Sequence, residues 1–369
     1  MKQKINVGAY IWPAYTGKEP RSRIFWQKGV GEWETVQKAK AKFEGHTWPR
    51  KPLLGYQDEA DPTVMEQQIE LAVSHGVNVF IYDWYWYDDR PFLQQCLDEG
   101  FLGAKNNSDI KFYLMWANHD ANYLWDYRNA CEEYRSTVIW QGKTNPKSFD
   151  TVVELWIEKY FTRENYYIIN NRPLVAIYDL SNFINTFGGI KETAEAMKKS
   201  DEKAKKYGFD GIHFQIIHMG QKLNLSGIDS GNLRDDVVKS LPFRSATNYQ
   251  YVHMFDVNQE YKDTTPYAIA EWHRIKDSLN ITYFPHVSIG WDNNPRHETL
   301  FKPKILKNSN PRDFEEALRE AKKFAESSGV DLVTINSWNE WTESSYLLPD
   351  DIHGYGYLDA IKKIFLNEE

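Results

Sequence analysis

Short apolar segments alternate with amphipathic helical patterns along the whole chain. The apolar segments are rich in β-branched and aromatic residues, which is typical of strands that are covered on both faces. The predicted strands are residues 5–12, 77–82, 110–116, 172–179, 212–218, 245–251, 283–290 and 331–336. The predicted helices are residues 62–75, 91–99, 150–161, 189–207, 265–279, 311–327 and 355–366.

This alternation predicts an α/β fold in which eight strand–helix units form a (β/α)8 TIM barrel. A doubly wound sheet is the alternative, but no glycine-rich phosphate turn follows the first strand. Two long aromatic-rich insertions, at residues 13–61 and 121–148, follow strands rather than helices. In a barrel the loops after the strands gather at one face, so both insertions are expected there. No linker divides the sequence, and we predict one catalytic domain spanning residues 1–369.

Composition narrows the classes of partner. The 14 Trp, 23 Tyr and 19 Phe are the composition expected of a cleft that handles carbohydrate. The net charge of −8, with no basic block, argues against nucleic acid or an anionic membrane surface as the main partner. We therefore expect a carbohydrate substrate and no nucleic acid, while the oligomeric state is left open.

The sequence contains no clear pattern for a membrane span, an export signal, a disulfide framework or a zinc site. No run of 18 apolar residues is present, so no membrane span is expected. The N-terminus lacks a hydrophobic signal core; we expect a cytoplasmic protein if Met1 is native, and a periplasmic or secreted one if an export signal was removed. Cys96 and Cys131 do not form a disulfide framework, and no Cys/His cluster has zinc spacing.

The richest chemistry follows the eighth strand, where Glu340 and Glu343 are interleaved with indoles. Indole faces stack on sugar rings, and low-dielectric walls separate the pKa values of neighbouring acids. Glycosidic cleavage usually needs one protonated acid and one carboxylate at or near the anomeric carbon. We predict that these two residues are the catalytic pair. The alternative is structural, since strand-end Glu and Asn often cap helices or pair with basic residues.

Other polar and aromatic residues follow the remaining strands and should converge at the same face. Aromatic walls with a few amide and imidazole donors suit a polyhydroxylated neutral ligand. No cofactor is predicted. A hard-cation or zinc site built from His119, Asp120, His218 and Asp292 is an alternative, but no motif fixes its geometry. No G-x-S-x-G elbow is present. The predicted substrate-binding residues are Trp12, Asp83, Trp84, Trp116, Asn118, His119, Asp179, His218, Tyr249, Trp291, Asp292, Trp338, Asn339 and Trp341.

Several segments resemble the glycoside hydrolase family 99-like, WbsX-type proteins. The most specific is Trp338-Asn339-Glu340-Trp341-Thr342-Glu343, followed by Pro349-Asp350 and Gly354-Tyr355-Gly356-Tyr357-Leu358. Similar N-terminal segments are Leu54-Gly55-Tyr56, Gln67-Gln68-Ile69-Glu70-Leu71-Ala72, Tyr82-Asp83-Trp84-Tyr85-Trp86-Tyr87 and Trp116-Ala117-Asn118.

The resemblance implies a retaining glycosidase on a (β/α)8 barrel. By analogy with characterised family 99 endo-α-mannosidases and mannanases, Glu340 would deprotonate the sugar's 2-hydroxyl, which attacks the anomeric carbon to give a 1,2-anhydro intermediate. Glu343 would act as general acid and then as base. The WbsX-type branch is commonly labelled glycosyltransferase, so a transferase of polysaccharide assembly is a second hypothesis. A non-catalytic carbohydrate-binding barrel is a third.

Overall fold

Eight parallel strand segments form a closed ring in the computed structural model, which describes residues 5–128, 132–220, 223, 225, 234–298 and 304–366. Each strand pairs with the next one in the chain, and the last pairs with the first. The α/β barrel predicted from the alternation is thereby confirmed. The strands are β1 (Asn6–Ile11), β2 (Val79–Tyr87), β3 (Lys111–Trp116), β4 (Arg172–Ile177), β5 (His213–Ile217), β6 (Ser245–Thr247), β7 (Thr282–Tyr283 with His286–Ser288) and β8 (Leu332–Asn336).

The seventh strand is divided at Pro285, which has no backbone N–H to donate. Its first part pairs with β6, and its second part pairs with β8. The break is bridged, because Phe284 N donates to the Ala246 carbonyl (2.9 Å) and the Pro285 carbonyl accepts from Thr334 N (3.0 Å). One continuous segment therefore links β6 to β8 and completes the ring.

Helices follow most strands, largely where the pattern predicts them. Asp61 caps the second helix by accepting from Thr63 N, and Pro62 opens it. Among the described residues, no helix is both long and apolar enough to cross a lipid bilayer. The α-helices are α1 (Trp33–Lys38), α2 (Pro62–Ser74), α3 (Glu132–Ser136), α4 (Pro146–Trp156), α5 (Leu180–Phe187), α6 (Ile190–Lys205), α7 (Arg234–Ser240), α8 (Thr265–Leu279), α9 (Pro311–Ser328) and α10 (Gly356–Phe365).

The helix predicted at residues 91–99 is wrong in its first half. Asp88 and Asp89 both have positive φ (53° and 57°), as the two central residues of a type I′ turn require. The chain therefore folds back, and Arg90–Phe92 pairs antiparallel with the end of β2. A π-helical segment then covers Cys96–Phe101. Cys131, noted above, lies outside the described residues.

Candidate active site

A cavity of about 200 Å³ lies at the carboxyl ends of the barrel strands. Strand ends and the loops that follow them supply its walls, as expected for a (β/α)8 barrel. Much of the wall is aromatic, and four carboxyl or guanidinium groups face the interior. The lining residues are Trp12, Asp83, Tyr85, Met115, Ala117, His119, Leu124, Trp125, Tyr178, Tyr249, Arg296, Glu340 and Glu343.

One guanidinium group holds three buried carboxyl groups together. Arg296 Nη1 donates to Glu343 Oε1 (2.6 Å), and its Nη2 donates to Glu340 Oε2 (3.1 Å). Its Nε lies 3.3 Å from Glu32 Oε1 and 2.8 Å from Thr342 Oγ1. Glu32 also accepts from the Trp12 indole N–H (2.5 Å). Because the guanidinium fork is rigid, it fixes the two predicted catalytic acids relative to each other.

The two glutamates differ in how their oxygens are used. Glu340 has both oxygens engaged, since Oε1 lies 2.9 Å from Tyr249 Oη and Oε2 faces Arg296. Glu343 Oε2 is buried and has no hydrogen-bond partner among the described residues. The Tyr249 hydroxyl also lies 2.8 Å from Asp83 Oδ2. Glu343 therefore keeps one oxygen available at the cavity, whereas Glu340 is held on both sides.

Burial and the charge of Arg296 act in opposite directions on the pKa values of both acids. Burial raises the pKa of Glu340 well above its ordinary value, and the nearby Glu343 adds to this against the opposing charge of Arg296. Burial also raises the pKa of Glu343, and the charge and hydrogen bond of Arg296 offset part of that rise. For acid–base chemistry at neutral pH, one member of such a pair has to carry a proton while the other is ionised.

Asn339 locks the acid-bearing segment onto the start of the barrel. Its Oδ1 accepts from Trp12 N (2.8 Å), and its Nδ2 donates to the Trp12 carbonyl (2.8 Å) and to Glu59 Oε2 (2.8 Å). Ser337 Oγ accepts from Glu340 N (2.8 Å). Asn339–Glu340 then pairs antiparallel with Ser345–Tyr346. The backbone that carries both acids is thus fixed from both sides.

The supporting carboxyl group of Glu59 is itself perturbed. Burial raises its pKa to about 8, although hydrogen bonds from Asn339 and Cys96 act in the opposite direction. The folded protein therefore retains a proton that the unfolded chain releases above its ordinary value of 4.5. By linkage, this group lowers stability progressively as pH rises from that value to about 8.

We expect Glu59→Gln to remove this pH-dependent penalty, because glutamine has no proton to lose. Relative to wild type, the variant should gain stability as pH rises, by at most about 1.4 kcal/mol for each pH unit. Denaturant unfolding at several pH values between about 5 and about 8 measures the difference. The exposed Glu195→Gln is the matched control. Parallel pH–stability curves for wild type and Glu59→Gln would contradict the prediction.

Six of the residues predicted from the sequence meet at the cavity. They come from the ends of five strands and from the loops that directly follow those strands, and the barrel brings them together as expected. They are Trp12, Asp83, His119, Tyr249, Glu340 and Glu343.

Four predicted substrate-binding indoles lie outside the cavity. Trp84 and Trp116 contact Trp156 of α4 (ring centroids 5.5 and 5.6 Å apart), so both belong to the layer between strands and helices. Trp338 packs on Phe80 and donates to Gln68 Oε1 (2.8 Å). Trp341 stacks on Tyr346 with centroids 3.8 Å apart. Because packing accounts for each of these indoles, we do not propose them as substrate contacts.

Three other predicted residues support the backbone beside the cavity. Asn118 Oδ1 accepts from Asp179 N (2.7 Å), and its Nδ2 donates to the Asp179 carbonyl (2.8 Å). The Asp179 carboxylate accepts from Asn182 N and caps α5. His218 is fully buried, with its Nε2 2.7 Å from Asp235 Oδ1. Asn118 and Asp179 thus join the ends of β3 and β4, His218 contacts α7, and none of the three lines the cavity.

Trp291 and Asp292 line a different cavity, of about 620 Å³, formed by the loops after β7 and β8 and by the first insertion. Asp292 Oδ2 lies 2.8 Å from His46 Nε2. Burial raises the pKa of Asp292, but the bonds from His46 and Asn294 outweigh it and hold that pKa below its usual value. Asp292 N donates to the Glu343 carbonyl (2.8 Å), so this loop also supports the acid-bearing segment.

Sequence reasoning missed several wall residues, above all Arg296. It lies in a long loop after β7, with no motif around it to mark a functional cation. A signal was nevertheless present for Tyr85, because side chains in a strand alternate between faces and Asp83 was already placed at the cavity. The other missed residues are Met115, Ala117, Leu124, Trp125 and Tyr178.

The residues considered for a metal site are dispersed: His119 is at the cavity, His218 pairs with Asp235, and Asp292 pairs with His46. In the described ranges, no three His, Cys, Asp or Glu side chains come together in a way that could hold a metal ion.

Comparisons with solved structures agree with the barrel. One similar structure is a "Glycoside hydrolase-like protein", with a TM-score of 0.61 and 14% identity, covering 98% of this chain and 94% of that one. Another is the GH99 endo-alpha-mannosidase from Bacteroides thetaiotaomicron in complex with bis-tris-propane, with a TM-score of 0.59 and 13% identity, covering 98% and 96% of the two chains. At these identities the likeness shows the fold.

Sequence comparisons give the family. The chain is 25% identical over 354 residues to an uncharacterized protein, WxcX, of Xanthomonas campestris pv. campestris. The match covers 93% of this chain and 47% of the relative, so the chain spans about half the length of the curated relatives it matches. Residues 9–361 match the family model described as "Glycosyltransferase WbsX". The resemblance seen in the sequence is confirmed, and the chain belongs to the WbsX family.

Proposed function

We propose that this protein is a retaining glycoside hydrolase that cleaves a glycosidic bond in an oligo- or polysaccharide, with Glu340 and Glu343 as its catalytic pair. The observation that carries the proposal is the buried acid pair at an aromatic cavity, bridged by Arg296 and with one oxygen of Glu343 unpartnered. Glu32 is the third carboxyl group that contacts Arg296, and Asp83 is a fourth buried carboxyl group at the same cavity. Full ionisation of all four would be costly, which favours a protonated acid beside an ionised one.

Glu343 is proposed as the general acid. Arg296 holds its Oε1, and Oε2 is left unbonded to reach the glycosidic oxygen. Burial raises the pKa of Glu343 above its ordinary value, which favours the protonated form that a general acid needs. After the leaving group departs, the same carboxylate can take a proton from water.

Glu340 is proposed as the base that assists the sugar's own 2-hydroxyl. Its carboxylate takes the 2-hydroxyl proton, the freed oxygen forms a bond to the anomeric carbon, and the bond to the leaving oxygen breaks as Glu343 protonates that oxygen. Water deprotonated by Glu343 then attacks the anomeric carbon of the 1,2-anhydro sugar, and Glu340 returns its proton to the 2-oxygen. Two displacements at one carbon retain its configuration.

The size and walls of the cavity support one sugar ring next to the acids. Its volume of about 200 Å³ lies below the ~300–1,000 Å³ of pockets for drug-sized ligands. Trp12, Tyr85, Trp125 and Tyr178 supply apolar faces, and His119 supplies a polar edge. Burial lowers the pKa of His119, so it faces the sugar as a neutral imidazole.

A glycosyltransferase activity is the second candidate, favoured by the family's description. A nucleotide-sugar donor carries a diphosphate, which needs cations or a backbone cradle. Within the described wall of the cavity, Arg296 is the one cationic side chain, and carboxylates already engage it. Calorimetric titration with nucleotide sugars separates the candidates, because a hydrolase should show no binding heat.

The proposal is tested by incubating the protein with a glycan library and following the products by NMR. We expect a released reducing sugar whose first-formed anomer has the configuration of the substrate. An inverted first anomer would overturn the retaining mechanism. Tight glycan binding without product would identify a non-catalytic carbohydrate-binding barrel instead.

A further inference from the structure

One tyrosine hydroxyl lies between two acids at the cavity. Tyr249 Oη is 2.8 Å from Asp83 Oδ2 and 2.9 Å from Glu340 Oε1. All three side chains are buried, with Asp83 and Glu340 each 3% exposed. Both contacts have the length of hydrogen bonds rather than of van der Waals contacts.

The number of protons limits how these contacts form. A phenol has one proton to donate, and an ionised carboxylate can only accept. If both acids were ionised, one of the two oxygen–oxygen contacts would have no proton between two electron-rich atoms in a buried site. One acid must therefore carry a proton and donate it to the tyrosine oxygen, while the tyrosine donates to the other acid.

The surroundings of the two acids decide which one is protonated. Glu340 Oε2 accepts from Arg296 (3.1 Å), and this contact favours the ionised form of Glu340 against the opposing effect of burial. In the part of the chain that the structure describes, no cation lies within ion-pair distance of Asp83, and its Oδ1 is buried without a partner. The imidazole of His253, which stacks on Tyr249, is neutral because burial lowers its pKa to about 4. The titratable groups that face Asp83 are Tyr10, Tyr85, Tyr178, Tyr249, Glu340 and Glu343.

We propose that Asp83 is a neutral carboxylic acid at physiological pH and acts as a positioning residue for the base. Asp83 donates its proton to Tyr249 Oη, and Tyr249 donates its own proton to the Glu340 carboxylate. Burial and the nearby charge of Glu343, which disfavour ionisation of Asp83, agree with this assignment. The role in catalysis rests on the proposed function, whereas the protonation of Asp83 does not.

This chain of hydrogen bonds gives Glu340 a donor that carries no charge. An ionised aspartate at the same place would repel the Glu340 carboxylate and oppose its ionisation. The neutral acid instead turns the tyrosine proton toward Glu340 and supports its ionised form. In the proposed mechanism the ionised form is the one that accepts the sugar's 2-hydroxyl proton.

Infrared spectroscopy tests the protonation without any substrate. A protonated carboxyl has a C=O stretch well separated from that of a carboxylate. At neutral pH we expect such a band in wild type and its absence in Asp83→Asn. We also expect the band to shift in wild-type protein labelled with carboxyl-¹³C aspartate. The labelled wild-type protein keeps the test valid if the variant does not fold. No aspartate-linked band, or a band lost on Glu340→Gln instead, would overturn the proposal.

Kinetics then test the positioning role. Asparagine keeps a donor toward Tyr249 and carries no charge, so Asp83→Asn should lower kcat/KM less than Tyr249→Phe does. The acid limb of its pH profile should stay in place, whereas replacing an ionised aspartate would move that limb to lower pH. Tyr249→Phe should lower kcat/KM by roughly 10- to 100-fold and move the acid limb to higher pH, because Glu340 loses its donor.

The two measurements fail independently. An aspartate-linked infrared band in a protein with no glycosidase activity on any glycan would leave the protonation standing and remove the proposed function. The opposite result is glycosidase activity together with no aspartate-linked band and a displaced acid limb in Asp83→Asn. That result would leave the proposed function standing and remove the protonation of Asp83.

Discussion

Glu343→Gln is expected to lower turnover of an unactivated glycoside by about 10²–10⁴-fold, which is the usual contribution of a positioned proton donor. The glutamine still fits the space and accepts from Arg296, whose Nη1 lies 2.6 Å from Glu343 Oε1 in the wild type. It has no acidic proton for the leaving oxygen. Initial rates on matched glycosides with alkyl and nitrophenyl leaving groups measure the effect.

The leaving-group dependence makes this result specific. A nitrophenolate departs without protonation, so the deficit in forming the intermediate should shrink strongly for the nitrophenyl substrate. Glu195→Gln, the same exchange at an exposed helix position, should change neither rate. Near-wild-type turnover of the alkyl glycoside by Glu343→Gln would show that another group is the acid.

Arg296→Met is expected to lower the free energy of unfolding by about 3–5 kcal/mol, as is typical when one partner of a buried ion cluster is removed. The guanidinium contacts Glu32, Glu340 and Glu343, and its side chain is 4% exposed. Without it, these carboxyls have to take up protons, so the loss should grow as pH rises from acidic to neutral values. Denaturant unfolding of wild type and variant at acidic pH and at neutral pH measures this loss of stability.

Arg163→Met supplies the matched control, because Arg163 is exposed and donates to the Lys159 carbonyl at 3.2 Å. A surface contact of this kind should contribute less than about 1 kcal/mol. Equal losses in the two variants, or a loss in Arg296→Met that does not depend on pH, would contradict the clustered-charge interpretation.

The barrel was predictable because its strands are buried on both faces. A segment such as Val79–Tyr82 has to be apolar throughout to lie between the barrel interior and the helix layer, and this leaves a visible run in the sequence. The hairpin at Arg90–Phe92 was not predicted, since Asp88 and Asp89 adopt positive φ without glycine. That turn depends on the chain folding back onto β2 rather than on local propensity.

The alternation of side chains along β2 decides which of its residues line the cavity and which pack against the helices. Asp83 and Tyr85 line the cavity, whereas Trp84 between them packs against Trp156 of α4. A choice by chemical type alone, such as every tryptophan near a strand end, ignores this period of two. Applied from Asp83 outward, the period would have selected Tyr85 and excluded Trp84.

Strand alternation could not have identified Arg296. It is separated from β7 by an irregular loop, and its position depends on the three carboxyls that surround it in space. Two of these, Glu340 and Glu343, were recognised from their local motif. The third, Glu32, lies in the first insertion, where no periodic pattern indicates which side chains point inward.

The link between Trp12 and Asn339 joins positions 327 residues apart. Contacts that span such a sequence separation incur a large loop-closure entropy and form slowly. During renaturation from denaturant, helical circular dichroism should therefore recover before enzymatic competence. A stopped-flow record of both signals would display this delay as a lag in product release.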